Sequence, residues 1–292
     1  MALDKITAAH LIGNFANQSP EWHELRARGI GGSEVGTICG LNPWESAYTL
    51  WAKKTGKIDG TIPTSEAMEW GTRLEAVIID KFADEHPELT LHRNVGTWAS
   101  NERDWQIANP DAIYERDGQL GLIEVKTARY EDAWANGVPA HYAAQVQWYL
   151  QTLGLPHAYV VVLFSGSKYR EFELHADEFE QSMNLASVID FKKFLDSGDA
   201  PDFSAPMVST YETVRQEHPD IDGDGEVELG SLGSIYEQAA NEVALAEETL
   251  NRVRSEILAA MGTAKRGTVS GEWKFTRQAR NGGTPYLVTK KG

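Results

Sequence analysis

The chain has 292 residues, 41% apolar and 24% charged, enough to bury a large core in one big domain or in one domain with an appendage. It has no leader-like N-terminus and no apolar run of the ~18 residues a membrane helix needs, so a cytoplasmic protein with no membrane partner is expected; its single cysteine, Cys39, excludes a disulfide framework and a Cys-x-x-Cys zinc site. The net charge of −16 argues against strong nonspecific nucleic-acid binding at physiological salt, but it is uneven: residues 171–261 hold five basic and twenty-one acidic side chains, residues 262–292 seven and one.

In chain order, Ser19-Pro20-Glu21 reads as a helix start, with an N-cap, a proline at the first position and an acid in the first turn. The helix should stop at Gly29, with Arg26 and Arg28 in its last turn where cations suit the dipole. In the glycine-rich stretch that follows, Ser33 is expected to cap a short helix, and Cys39 to be buried. Such a turn beside arginines can be a phosphate cradle or simply a tight corner between helices. The segment from Ser46 reads as a helix closed by Gly56, Lys57–Thr64 as a polar linker, and Ser65 to Glu85 as a long helix with the stripe Met68, Leu74, Val77, Ile78 and Phe82.

Short strands are expected at Leu89–Asn94 and Thr97–Ala99. Trp105 to Lys126 reads as a β-hairpin that passes through Asn109-Pro110-Asp111, turns at Asp117-Gly118 and returns to Glu124-Val125-Lys126. Glu124 and Lys126 are two apart and share a face, and Asp111 sits near the bend of the partner strand where it can reach that face. Two carboxylates and an ammonium on a mostly apolar hairpin are costly near a core unless they bind something. Two acidic oxygen donors suit a hard divalent cation, Mg²⁺ or Mn²⁺, and the lysine could position a water or neutralise charge on a phosphate. A surface hairpin with a cross-strand Lys–Glu pair is the plainer alternative.

A loop containing Trp134 leads to a helix over Ala140–Leu153, where Gln145 and Tyr149 share one face and Gln147 points elsewhere. Trp134 and His141 read as packing and loop residues, with DNA or metal contact as the alternative. The β-branched run after Pro156 reads as a buried central strand, Lys168–His175 as its partner, and Asp177 to Leu195 as a helix. Beyond residue 200 a proline-containing linker is expected. Asp220, Asp222 and Asp224 alternate as in a calcium loop, but Ser231 stands where that loop needs glutamate, so a turn before a strand Glu226–Leu229 is expected instead. A helix then runs from Ser231 to about Met261, followed by a small basic hairpin carrying Lys265, Arg266, Lys274, Arg277, Arg280, Lys290 and Lys291.

The block Arg26 to Trp44 (R-x-x-G-I-G-G-S-E-V-G-x-I-C-G-x-N-P-W), followed by Ser46-Ala47-Tyr48-Thr49-Leu50-Trp51, resembles the opening of the YqaJ-like viral recombinase family, phage lambda exonuclease-like members of the PD-(D/E)xK nuclease superfamily. Asn109-Pro110-Asp111, twelve intervening residues and Glu124-Val125-Lys126 resemble that superfamily's signature, Gly71 to Glu75 a G-x-x-x-E element, and Gln145 to Tyr149 a Q-x-x-x-Y element. The resemblance implies an α/β restriction-endonuclease-like core, a mixed central sheet flanked by helices, with a C-terminal helix plus β-hairpin extension. The implied division is a nuclease domain over 1–200, a linker over 201–230 and the extension over 231–292.

It further implies Mg²⁺ or Mn²⁺ held by Asp111, Glu124, Glu75 and the Val125 carbonyl, with Lys126 completing the catalytic set. DNA phosphate would be gripped by Arg28, with Arg26 as its substitute, and by Ser33 and Asn109, and Gln145 and Tyr149 would lie at the scissile region. The implied activity is 5′→3′ digestion of double-stranded DNA ends to 5′-phosphate products, leaving 3′ tails for a single-strand annealing protein. Ring-shaped homotrimers occur among such relatives. The alternatives are an endonuclease of the superfamily and a non-catalytic DNA-end-binding protein; a four-cysteine iron–sulfur nuclease is excluded by the single cysteine.

Overall fold

The computed structural model describes residues 2–15, 19–60, 65–203 and 207–289. Part of the linker read at 57–64 and both Lys290 and Lys291 lie outside them. The elements are β1 (Ala9–Gly13), α1 (Pro20–Arg28), β2 (Ile30–Gly31), α2 (Gly32–Ile38), α3 (Ala47–Lys54), α4 (Glu66–Glu85), β3 (Thr90–Arg93), β4 (Thr97–Ser100), β5 (Gln106–Ala108), β6 (Ala112–Arg116), β7 (Gln119–Ala128), α5 (Ala140–Leu153), β8 (His157–Phe164), β9 (Lys168–His175), α6 (Glu178–Ser197), α7 (Val208–Glu217), α8 (Ser231–Met261), β10 (Arg266–Val269), β11 (Glu272–Gln278) and β12 (Tyr286–Thr289). They fall into two compact units, 1–221 and 222–292.

The first unit is built on a mixed five-stranded sheet in the order β3-β6-β7-β8-β9, in which only β7 and β8 run parallel. Asp117 and Gly118 both have positive φ, 53° and 82°, so β6 and β7 join through the tight turn whose twist matches paired strands. Strand parity then sorts the core. Leu122, Val160 and Val162 pack with Val146 and Leu150 of α5, whereas Ile123, Tyr159 and Val161 pack with Ile78, Ile79 and Phe82 of α4. The sheet is therefore a central layer between α5 and α4.

A second sheet, β1-β4-β5-β2, crosses the opening of the chain. The segment expected to run unbroken from Trp105 into the hairpin is split: β5 pairs with β4 and β2, and only β6 enters the main sheet. Pro110, which cannot donate a ladder hydrogen bond, stands at the break. Two bonds pin β5 to α5: the Trp148 indole N–H donates to the Ile107 carbonyl (3.1 Å), and the Gln106 amide donates to Gln151 (3.1 Å).

The stretch read as a linker over 201–230 contains α7, a helix that docks on α3. Thr49 Oγ1 meets Thr213 Oγ1 at 2.9 Å, and Thr210 Oγ1 donates to Ser46 Oγ at 2.7 Å. Its anchors are hydroxyls, which leave no apolar periodicity to read. Residues 226–229 form no strand. The Asp222 carboxylate accepts from the Asp224 N–H (3.1 Å), so this stretch is a turn. The second unit is α8 followed by a three-stranded antiparallel sheet, β10-β11-β12, one strand more than the expected hairpin. Among the described residues no helix is long and apolar enough to cross a membrane.

Candidate active site

Asp111 precedes β6, whose Ala112 pairs with Ile123, so Asp111 comes opposite Glu124 on the same face of the hairpin. Its Oδ2 accepts from the Val125 N–H at 2.7 Å. Glu124 and Lys126 lie on the α5 side, register-matched to Val160 and Val162. Gln145 reaches down from α5: its amide nitrogen donates to Glu124 Oε1 (2.7 Å) and to the Tyr149 hydroxyl (3.3 Å), while its Oε1 accepts from Lys126 Nζ (3.1 Å). Lys126 also donates to Glu124 Oε1 (2.6 Å) and lies 4.8 Å from the centre of the Tyr142 ring. Gln147 is not part of this cluster. It accepts from the Asp177 N–H and donates to the His175 carbonyl, fastening α5 to the start of α6.

The electrostatics are lopsided. Burial pushes the Asp111 carboxyl well above its usual range, and the neighbouring Glu124 and Glu75 push it further against the pull of Lys126. Glu75, half-buried on α4, is raised by burial and by Glu124. Glu124 is 3% exposed, and its Oε2 is buried without a hydrogen-bond partner. A carboxylate oxygen in that state is expensive unless a cation or donor meets it. Among the described residues no three His, Cys, Asp or Glu side chains already converge as a closed metal cage. A divalent cation would draw its donors from the two facing carboxylates, the nearby Glu75 and backbone oxygen. The hard-oxygen donor set and the orphaned Oε2 fit such an ion.

These carboxylates line a cleft of about 660 Å³, and a second recess of about 430 Å³ shares Glu75, Asp111 and Glu124 with it. The far part of the larger cleft is cationic. Arg26 donates to Ser33 Oγ from both terminal nitrogens (3.1 and 3.2 Å) and pairs with buried Glu34 at 2.9 Å. Lys54 pairs with the same Glu34 at 3.0 Å and donates to the Arg26 and Gly29 carbonyls. Burial alone would raise the Glu34 carboxyl, but Arg26, Lys54 and the Gly31 N–H hold it below the usual range. Two cations against one anion leave a net positive charge at the Arg26 guanidinium, which faces the cleft.

The structure departs here from the sequence reading. Arg28, the expected phosphate ligand, has an 80% exposed side chain and pairs with Glu24 on the surface, so the cleft cation is its substitute, Arg26. About half a turn of α1 decides this, since residues two apart point to different sides of a helix. Ser33 is not the N-cap of α2. Gly31 takes that position, with its N–H donating to Glu34 (2.9 Å), and Ser33 is left to accept from Arg26. Asn109 lines the cleft with its Oδ1 accepting from Thr97 at 2.8 Å. Tyr149 is buried beneath Gln145, and a Cβ on Gly32 would come within 2.5 Å of its ring, so the start of α2 can lie this close only as glycine.

Glu34, Lys54 and Trp22, whose ring centre lies 4.8 Å from the Arg26 guanidinium at the cleft, escaped the sequence reading. The available signal was an acid inside a glycine-rich apolar turn, three residues after its cap. Trp134 is a core residue against Phe164 and Phe172, and His141 packs its ring on Trp44 and Tyr142. Cys39 is half-buried, with burial raising its thiol.

Residues 21–156 match the YqaJ-like viral recombinase domain. That stretch, a little under half of the chain, is similar to the YqaJ-like family. Uncharacterized protein YqaJ of Bacillus subtilis (strain 168) is 28% identical over 265 residues, 85% of this chain and 81% of that protein. Protein D345L of African swine fever virus is 28% identical over 154 residues, 44% of each chain. Among solved structures, the alkaline exonuclease LHK-Exo from Laribacter hongkongensis superposes with a TM-score of 0.52 at 20% identity, covering 62% of this chain and 94% of that one. The first unit thus shares the fold of that exonuclease: a mixed sheet between helices, with Asp111, Glu124 and Lys126 at one end of its central hairpin.

Proposed function

We propose that this chain is a divalent-metal-dependent deoxyribonuclease that resects double-stranded DNA ends in the 5′→3′ direction. The observation that carries the reading is the facing pair Asp111 and Glu124, with Lys126 and Gln145 hydrogen-bonded to Glu124 and a cationic recess in the same cleft. An anionic end and a cationic end in one cleft match a metal ion and the phosphates of a DNA strand.

Mg²⁺ or Mn²⁺ would be held by Asp111, Glu124, Glu75 and the Val125 carbonyl, where such an ion polarises a scissile phosphate and lowers the pKa of a bound water. Lys126 supplies an ammonium at the reacting phosphate, where it stabilises developing negative charge or orients the attacking water. Gln145 holds Lys126 and Glu124 in register. Arg26 and Ser33 hold a terminal phosphate, with Asn109 beside it. Hydrolysis leaves 5′-phosphate products and a 3′ single strand, the substrate of an annealing protein, and the work is done where the DNA lies, in the cytoplasm. LHK-Exo, similar in fold, has also been solved in complex with dAMP, which agrees with a nucleotide-binding cleft.

The test uses end-labelled linear duplex, with and without a 5′-phosphate, beside a closed circle, in Mg²⁺, with Asp111→Ala as control. Mononucleotides released only from the linear duplex, faster with a 5′-phosphate and absent in the variant, support the reading. Cutting of the circle replaces it with an endonuclease. No hydrolysis of either by the wild type leaves a DNA-end-binding protein.

A further inference from the structure

We propose that the exposed seam of α8 is a self-association surface, pairing antiparallel with α8 of a second copy of this chain. The inference is independent of the nuclease reading. Tyr236, Val243, Leu250 and Ile257 recur at intervals of seven, and Leu232, Ala239, Ala246, Val253 and Ala260 recur at the same interval, four residues before or three residues after them. A strict 3–4 apolar alternation kept over four heptads has the 3.5-residue period of a coiled-coil seam, narrower than the stripe of a helix packed on a globular core.

Within its own unit the seam is open along most of its length. None of the 31 residues of α8 is buried, and Leu232, Tyr236, Val243 and Leu250 are 65%, 76%, 59% and 48% exposed. Val253 and Ile257 are half-buried, toward the end followed by β10. A helix of this length draws most of its stability from packing an apolar face, so a bare seam of four heptads calls for a partner.

Side-chain size and charge identify that partner. The positions in register with Tyr236 are bulky, whereas Ala239, Ala246 and Ala260 in the alternate register are small. A parallel pair would set Tyr236 on Tyr236 and alanine on alanine, and would place Glu242 of one copy by Glu247 of the other. An antiparallel pair centred between Val243 and Ala246 sets Val243 on Ala246, Leu250 on Ala239 and Tyr236 on Val253. Bulky then meets smaller in these three layers, and Leu232 meets Ile257 in the fourth. It also moves Glu242 beside Thr249 and Glu247 beside Ala240, so no like charges oppose. The seam therefore complements its own reverse.

The experiment is light scattering of the full chain across micromolar concentrations, combined with cysteine cross-linking. Wild type should associate to twice the order of Val243→Asp, a dimer against a monomer where no other contact joins the chains. Leu245→Asp, the same chemical change off the seam, should keep the wild-type mass, which separates loss of the seam from loss of helix. In a Cys39→Ser background, chains carrying Ala239→Cys mixed with chains carrying Leu250→Cys should form an interchain disulfide on mild oxidation, and Ala239→Cys alone should not. A monomeric wild type overturns the proposal, because the seam then serves a different partner or its own chain. So does an oligomer whose mass Val243→Asp leaves unchanged, or cross-linking by Ala239→Cys alone, which is the mark of a parallel pair.

Discussion

The two ends of the cleft are built from the same chemistry in opposite proportions. At the β6–β7 end, Asp111, Glu124 and Glu75 surround a single ammonium, Lys126, and the carboxyls of Asp111 and Glu75 are pushed upward. At the α1–α2 end, Arg26 and Lys54 share a single carboxylate, Glu34, which is held down. A buried charge group that is short of cation invites one, and a group with cation in excess invites an anion. The first end is short of positive charge, whereas the second is internally satisfied and offers only its surplus charge.

The comparison can be broken most directly at the carboxylate end. Lys126→Ala and Glu124→Gln should each lower DNA hydrolysis by about 10²–10³-fold or more, the scale of removing one preorganised charge from a reacting phosphate. End binding, measured by fluorescence anisotropy, should survive. Equal loss of binding and cleavage would mean that this end holds DNA rather than acting on it.

At the cationic end, Glu34→Gln leaves Arg26 and Lys54 without their shared anion. Breaking a buried pair on one side destabilises by about 3–5 kcal/mol, readable as a drop in denaturation midpoint. The sign with pH follows from the depressed Glu34 carboxyl. Its contribution is full above the unfolded carboxylate range and is lost as pH falls through the lower folded value. The variant should therefore lose less stability on acidification than wild type.

Asp111 and Glu75 sharpen the contrast from the other direction, because their carboxyls are raised. They must be ionised to hold a cation, so the pH profile of kcat/KM should fall on its acid side at a higher pH than ordinary carboxylates would give. Glu75→Gln removes one of the charges raising Asp111 and should move that fall to lower pH. A profile unmoved by the change would separate Glu75 from the ion.

The smallest effect distinguishes the two arginines of α1. Arg28→Ala breaks only an exposed i,i+4 pair worth about 0.3–0.5 kcal/mol and should leave the preference for 5′-phosphorylated ends intact. Arg26→Ala should abolish that preference. The reverse pattern would return the phosphate site to Arg28.

What the sequence determined on its own is whatever depends on local periodicity. The bounds of α5 at Ala140 and Leu153, the Asp117-Gly118 turn, and the shared face of Glu124 and Lys126 all follow from spacing, because backbone geometry repeats every 3.6 or 2 residues regardless of the rest of the fold. The family motifs, too, were legible as strings. Tertiary structure alone decided which arginine meets the cleft, since Arg26 and Arg28 differ by about half a turn of helix and only one of those sides faces α2. It decided the burial of Glu34 between two cations and the docking of α7 through hydroxyls, neither of which has a local signature. It also decided the break between β5 and β6, where the chain changes sheets. These depend on contacts between segments distant in sequence, such as Ser46 with Thr210 or Ile107 with Trp148, whose energies no window of neighbouring residues contains.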